Sequence, residues 1–418
     1  MTVNVKKTVG VVFNPAFHRG AKVRWRFESG AVELQDGFAY LGTFMHSEKG
    51  IAKTWDGNMG SAQRAMYAMQ RRCGVIGMDS VDMRLHLFDA LVRPILDFGS
   101  AVWGPKAVRG KGLLKRVEDM HLTFLKGCLG VKQTVPGAIV YQELGRAPLW
   151  VGWVRRAAGF WNRVVQRDAE DLVRRAVSES CSTAEQTSSW ASELDDGVRR
   201  LGHSLGKGWA LDKVGMTKLP TAVVRGKRDE WWRLSLDDTG WLDSPCWRRA
   251  DGGREVGLEV RDVPEGTRAG FKAYTYHRWF EDRLGDKGLS GKVCFWQCLR
   301  SRAAVRMIAQ LRMGSHLLRV EEGRLNKLSR NARLCLLCSQ CVREDERHFI
   351  VECDLYADIR QQYGDLFVAI EAGVSDDDFN RCMNPMPECA GAFWTRFYLF
   401  LRACWAKREA ALSTIADR

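Results

Sequence analysis

The chain has 418 residues, 45% of them apolar, and 64 Lys/Arg stand against 50 Asp/Glu for a formal net charge of +14. That length holds two or three domains, and that apolar fraction excludes wholesale disorder. The positive balance favours a polyanionic partner over a small-molecule substrate, and it concentrates in residues 51–175, where 20 Lys/Arg face 11 Asp/Glu, a net +9.

Residues 1–50 read as short strands and turns. The run 9–13 is apolar and of strand length, 22–27 alternates, Asn14-Pro15 and Ser29-Gly30 mark turns, and Phe38-Ala39-Tyr40-Leu41-Gly42 is an aromatic-rich strand. From residue 53 the apolar period becomes helical. Ala62, Ala65, Met66 and Met69 form one stripe beside Arg64, Arg71 and Arg72. Leu85, Phe88, Leu91 and Val92 form the next, with Ser80 as its N-cap. Leu114, Val117, Phe124, Leu125 and Cys128 form a third, stopped at Gly130. A fourth helix is expected from about 150 to 177, with Arg155, Arg156, Arg163, Arg167, Arg174 and Arg175 on one face.

The Ser/Thr/Glu-rich run 178–190 has linker composition. Helical patterning covers 191–235, gives way to turn residues over 236–268, and returns from near 271 to about 318. The last apolar helix is expected at about 390–412, with Phe393, Phe397, Phe400, Cys404 and Trp405. No stretch approaches the ~20 apolar residues that span a bilayer. Met1 is followed by Thr2, Val3, Asn4 and two lysines, not by the apolar core of a signal peptide. The expectation is an intracellular protein, nuclear or cytoplasmic, with no membrane association. Its 13 cysteines are then reduced thiols or metal ligands.

One group has ligand spacing. Cys335, Cys338, His348 and Cys353 form C-x2-C-x9-H-x4-C. Two thiolates from a tight turn and an imidazole with a third thiolate from the next segment can close a tetrahedron. Zinc suits sulfur and nitrogen donors, and four protein ligands leave no open position, so the expected role is structural. Cys341 either replaces Cys338 or stands by. The pairs Cys294/Cys298 and Cys382/Cys389 lack matching partners.

The order of these patterns resembles the distal half of LINE-type (non-LTR) retrotransposon reverse transcriptases. Asn4, Lys6-Lys7-Thr8 and Val11-Val12-Phe13 resemble the strand that ends the polymerase palm. Phe38-Ala39-Tyr40-Leu41-Gly42 resembles the primer-grip motif. Leu91-Val92-Arg93-Pro94-Ile95-Leu96-Asp97-Phe98-Gly99-Ser100 through Trp103-Gly104 is similar to the thumb helix and its exit, and Phe124-Leu125-Lys126-Gly127-Cys128-Leu129-Gly130-Val131 to the next one. Thr134-Val135-Pro136 and Tyr141-Gln142-Glu143-Leu144-Gly145-Arg146-Ala147-Pro148-Leu149 follow in family order. Leu311-Arg312-Met313-Gly314-Ser315-His316, Glu322-Gly323-Arg324, His348-Phe349, Cys353-Asp354-Leu355-Tyr356 and Arg360 do so around the cysteine cluster. The likeness covers roughly 1–175 and 300–360.

The resemblance implies a mainly α fold with four parts: a palm and primer-grip remnant at 1–50, a helical thumb-like basic domain at 51–177, a linker and unassigned helical region at 178–290, and a helical C-terminal region at 291–418 with a zinc knuckle at 335–353. It implies that Lys6 or Lys7 lies near nucleotide phosphates and that Phe38, Tyr40, Leu41 and Gly42 support a primer end. The simpler alternative makes Tyr40 and Leu41 core residues of a small sheet. Arg64, Arg71, Arg72, Lys115, Arg116, Lys126, Arg155, Arg156 and Arg163 are expected to contact RNA or DNA phosphates, with solvated helix faces as the alternative. Phe349 or Tyr356 would stack on a base, or Phe349 would be core of the knuckle.

The family's catalytic aspartates, which hold two Mg ions in the full-length polymerase, would precede Lys6. The pairs Asp195-Asp196 and Asp237-Asp238 and the run 376–378 lack flanking apolar strands and are read as caps and solvated turns. No Asp…Glu-x-Lys arrangement follows Cys353, so no complete nuclease is expected there. The expected function is that of a nucleic-acid-binding C-terminal part of an RNA-directed DNA polymerase, inactive alone. The alternatives are a non-catalytic RNA- or DNA-binding protein derived from a retroelement and a decayed pseudogene product.

Overall fold

The computed structural model describes residues 8–13, 25–27, 30–40, 42–48, 50, 52–183, 188–201, 218–219, 223, 276, 279, 294–367, 376–385 and 390–416. The fold is mainly helical, with short strands confined to the N-terminal 50 residues.

Three two-stranded sheets form the β patch. β1 (Val9–Gly10) pairs in parallel with β4 (Glu33–Leu34), and β2 (Arg26–Phe27) pairs antiparallel with β3 (Gly30–Ala31). The apolar run 9–13 thus contributes only two paired residues. β5 (Gly37–Tyr40) and β6 (Thr43–His46) form a hairpin in which Tyr40 faces Thr43. Gly42 closes its turn at φ +81°, a conformation that a side chain would strain. The hairpin is anchored to the first helix, where the Thr54 hydroxyl donates to the Phe44 carbonyl at 2.8 Å.

The first helix, α1 (Ala52–Val75), buries Trp55, Met59, Ala62, Met66, Met69 and Cys73 along one stripe. Ser80 caps α2 (Val81–Leu91) by accepting from Met83 N at 3.3 Å, as its position predicts. The short α3 (Arg93–Asp97) and α4 (Ser100–Arg109) follow. α5 (Lys111–Leu129) stops at Gly130, which takes φ +69°. α6 (Gly137–Glu143) leads into α7 (Leu149–Val164). The crossing of α4 on α7 is close: a Cβ on Gly104 would lie 2.9 Å from Trp153 Cβ. Trp55, Trp103 and Trp153 meet edge-on around that crossing, with ring centroids 4.3–5.2 Å apart.

The single helix expected over 150–177 is two. Asp171 accepts from Val173 N at 2.9 Å and Arg174 N at 3.1 Å, which caps a new helix, α8 (Leu172–Ser182). Helix α9 (Trp190–Arg200) then packs back on the bundle, with Trp190 Nε1 donating to Ala101 O at 3.2 Å. Asp195 and Asp196 therefore lie inside a helix, not in a turn. They pair with Arg199 at 2.9 Å and Arg109 at 3.3 Å. Asp237-Asp238 lies outside the described residues.

The C-terminal region contains α10 (Phe295–Cys298), α11 (Arg302–Arg312), α12 (Arg319–Leu325), α13 (Ala357–Gln362), α14 (Asp376–Met383) and α15 (Ala390–Ala416). Asp378, expected in a solvated turn, is fully buried in α14. The C-terminal core is continuous with that of the N-terminal bundle. Buried Glu143, at the end of α6, receives Arg312 Nη2 at 2.7 Å and Arg312 Nε at 2.9 Å. Its carbonyl accepts from Trp296 Nε1 at 2.8 Å. The Arg312 guanidinium lies against the rings of Phe295 and Trp394, 5.5 and 5.6 Å from their centroids. Among the described residues no helix is long and apolar enough to cross a membrane.

Candidate functional site

The cysteine cluster is assembled by two local devices. Leu334 and Arg343 form an antiparallel bridge, and Cys335 N donates to Val342 O at 2.8 Å, so the intervening chain doubles back as a hairpin. Inside it Leu337 N points to Cys335 Sγ at 3.4 Å, the amide-to-sulfur contact that a thiolate accepts. Asp345 Oδ1 then accepts from His348 N at 2.9 Å. A wide π-type turn, His348–Glu352, follows, closed by Cys353 N to His348 O at 2.8 Å. That turn places His348 and Cys353 on the same side.

The four ligand atoms lie within 4.8 Å of one another, and His348 Nε2 is 3.5 Å from Cys338 Sγ. Ligand atoms around a tetrahedral metal with bonds of about 2.0–2.3 Å stand roughly 3.5–3.8 Å apart, so the group can hold one ion with little adjustment. Cys335, His348 and Cys353 are buried and Cys338 is half-buried. Cys341 is exposed in the left-handed region at φ +51° and lies outside the cluster.

Without a metal the groups share protons. Hydrogen bonding from Cys353, with a contribution from His348, draws the Cys335 thiol well below its ordinary range, while the same contact and burial push Cys353 up. Burial opposes charge on His348, but Cys335 and Glu352 outweigh it and hold the imidazole up at about 10. A metal entering this thiolate–imidazolium pair would displace those protons.

Around the ligands stands a carboxylate, Glu352, that the sequence did not single out. Glu352 Oε2 faces His348 Nδ1 at 3.6 Å and is itself held by Arg347 Nε at 2.6 Å. A carboxylate behind a ligating imidazole fixes its orientation and tautomer. The i, i+4 spacing of His348 and Glu352 was the available signal. Arg360, buried behind the cluster, donates Nη2 to Cys353 O at 2.8 Å. Three thiolates and a neutral imidazole around a dication would carry one net negative charge, which this guanidinium would offset. Phe349 and Tyr356 are buried, ring to ring at 5.0 Å, with Trp405 4.8 Å from Phe349. Both are core, which for Phe349 is the second of the two expectations, and neither ring is open to a base.

The expected nucleic-acid contacts divide by exposure. Arg64, Arg71, Arg72, Lys115 and Arg163 are exposed, and no described carboxylate pairs with them. Arg116 is exposed but paired with Asp56 at 2.8 Å. Arg155 is half-buried. Arg156 is bonded to Asp97, which also accepts from Arg93 at 3.1 Å and from Trp153 Nε1 at 2.9 Å. Lys126 is only 7% exposed, and its ammonium donates to Gln133 O at 2.7 Å, holding the turn after α5. We therefore place Lys126 in the core and not at an interface. On the hairpin, Phe38 and Tyr40 are exposed, and the position of a Gly42 Cβ lies 3.6 Å from the Phe98 ring. Lys6, Lys7 and Leu41 lie outside the described residues.

Comparison of the chain with protein-family models, with curated proteins and with solved structures returns no match.

Proposed function

We propose that this chain is a nucleic-acid-binding unit, the C-terminal part of a non-LTR retrotransposon reverse transcriptase that lacks the catalytic aspartates, with zinc as the structural metal of the Cys335/Cys338/His348/Cys353 centre. The observation that carries the reading is the state of the cations on α1. Arg64, Arg71 and Arg72 remain exposed, and no Asp or Glu occurs between Asp56 and Asp79. Elsewhere in the bundle Arg93, Arg109, Arg116, Arg146, Arg156 and Arg167 each meet a carboxylate, while Lys115 and Arg163 stay open as the α1 cations do. An unneutralised helix face suits phosphates, whose contacts position a strand without reading its sequence. The order of family-like motifs supports the polymerase origin, and three sulfurs and one nitrogen with no open position support zinc over magnesium.

The alternative of a non-catalytic binding protein draws support from the Glu143–Arg312 pair. It ties α6 to the C-terminal helices within one continuous core, with Tyr276 and Trp296 bonded to the same Glu143. Titration of a labelled template–primer tests the common part of both readings: binding that weakens steeply with salt is expected, and its absence would refute them. Primer extension with Mg2+ or Mn2+ tests the missing catalysis, and no synthesis is expected.

A further inference from the structure

The outward face of α1 carries an aromatic ring between its cations. Tyr67 is 59% exposed, opposite the buried stripe of Met59, Ala62, Met66 and Met69. Arg64, Tyr67 and Arg71 follow at i, i+3 and i+7, which places them on one side of the helix over a rise of roughly 10 Å. Arg64 Nη2 bonds Ser61 Oγ at 3.0 Å, and the position of a Gly60 Cβ lies 3.4 Å from Arg64 Nη1. The guanidinium thus folds back over bare backbone. A Cβ on Gly57 would meet nothing within 4 Å, so the helix surface beyond Arg64 is open to close approach. Val75 and Ile76 are exposed beyond Arg71.

Resting on the proposed function, we infer that this face is a single-strand platform: Tyr67 stacks on an unpaired base while Arg64 and Arg71 hold the flanking phosphates. A duplex offers phosphates to the arginines, but its bases are already stacked on each other and give the ring nothing to cover. An exposed phenol between two uncompensated guanidiniums is therefore matched to an unpaired strand. A protein partner would need carboxylates for the arginines and an apolar pocket for the ring. The complete absence of acidic residues from 57 to 78 favours a partner whose charge is continuous, as a phosphate backbone is.

The test is fluorescence anisotropy of the full chain with labelled oligothymidylate and with a labelled blunt duplex, on wild type, Tyr67→Phe and Tyr67→Leu. Tyr67→Leu is expected to weaken oligothymidylate binding by about tenfold and leave duplex binding within about twofold, and Tyr67→Phe to bind like wild type. Tyr67 is mostly exposed, and an unchanged thermal transition checks that the variants fold. Should one fail to fold, Tyr67→Gln replaces it, with the same preferential loss on the single strand expected. Equal affinities of wild type and Tyr67→Leu for oligothymidylate, or equal losses on strand and duplex, would overturn the platform while leaving the proposed function standing. A wild-type chain that binds neither probe would overturn both.

Discussion

Arg408 grips Glu344 with two parallel hydrogen bonds, Nε to Oε1 and Nη2 to Oε2, each 2.8 Å, and the two side chains are only 5% and 3% exposed. Glu344 belongs to the hairpin that carries Cys335 and Cys338, and Arg408 to the long helix α15. Glu344 also accepts from Arg319 N at 2.8 Å, and its own amide donates to Arg333 O at 3.1 Å. The Cys335/Cys338/His348/Cys353 cluster is thereby fastened to the body of the C-terminal region by a charge pair with its remaining hydrogen bonds largely filled. Glu344→Ala would leave a buried guanidinium unpaired and is expected to cost about 3–5 kcal/mol in denaturant unfolding, whereas Glu344→Leu/Arg408→Met should cost much less. Similar losses in the single and double variants would show that the pair is not the anchor.

The ligand set predicts a sharp contrast among neighbouring cysteines. Cys335→Ser and Cys353→Ser should abolish retention of the roughly one zinc per chain expected of a closed site, and should lower the unfolding transition. Cys341→Ser, at the exposed left-handed position, should leave metal content unchanged. Metal analysis after gel filtration reads all three. Glu352→Gln should retain the metal with reduced affinity, because it alters only the group behind His348.

Glu118 and His121 form a pair with opposed pH responses. Burial raises Glu118 to about 7, against hydrogen bonds from Tyr141 and the amide of Trp150. Burial, with repulsion from Arg146 and Arg93, lowers His121 to about 3. The raised carboxyl contributes stability that is complete below about pH 4.5 and is lost as pH rises to about 7. The depressed imidazole contributes stability that is complete above about pH 6.5 and is lost as pH falls towards about 3. Their slopes cancel between about pH 4.5 and 6.5. Relative to wild type, Glu118→Gln should therefore lose stability on acidification by about 1.4 kcal/mol per pH unit over that window, and His121→Leu should gain it. Parallel stability–pH curves for all three proteins would contradict this.

Lys126 and Arg71 separate folding from binding. Lys126→Met removes a buried donor to Gln133 O and is expected to destabilise by about 1–3 kcal/mol without changing nucleic-acid affinity. Arg71→Gln, on the open face of α1, should do the reverse. Measuring unfolding and binding on both variants decides it.

Much of the fold was legible because the signals are local. The Met66/Met69 stripe, the Ser80 cap, the Gly130 stop and the final apolar helix each depend on residues within a few turns of one another. The clustering of Cys335, Cys338, His348 and Cys353 was legible for the same reason, since both halves of the set lie within 19 residues. The break between α7 and α8 was hidden because arginines stand on both sides of it, although residues 165–171 leave the helix and Asp171 caps the next one. The partners of Glu143 and Glu344 were beyond reach: Arg312 is 169 residues away and Arg408 is 64. Lys126 looked like its exposed neighbours, because a ammonium that satisfies a nearby carbonyl has no signature in composition. Tyr67 was passed over because a tyrosine in an apolar-rich helix reads as core until its face is known.

The measurement closest to the central claim is the salt dependence of single-strand binding for wild type and for Arg64→Gln/Arg71→Gln/Arg72→Gln. The account predicts that the logarithm of the wild-type affinity falls linearly with the logarithm of salt, and that the triple variant binds more weakly with a slope shallower by about 2. A wild-type affinity indifferent to salt, or a triple variant with the wild-type slope, would contradict it.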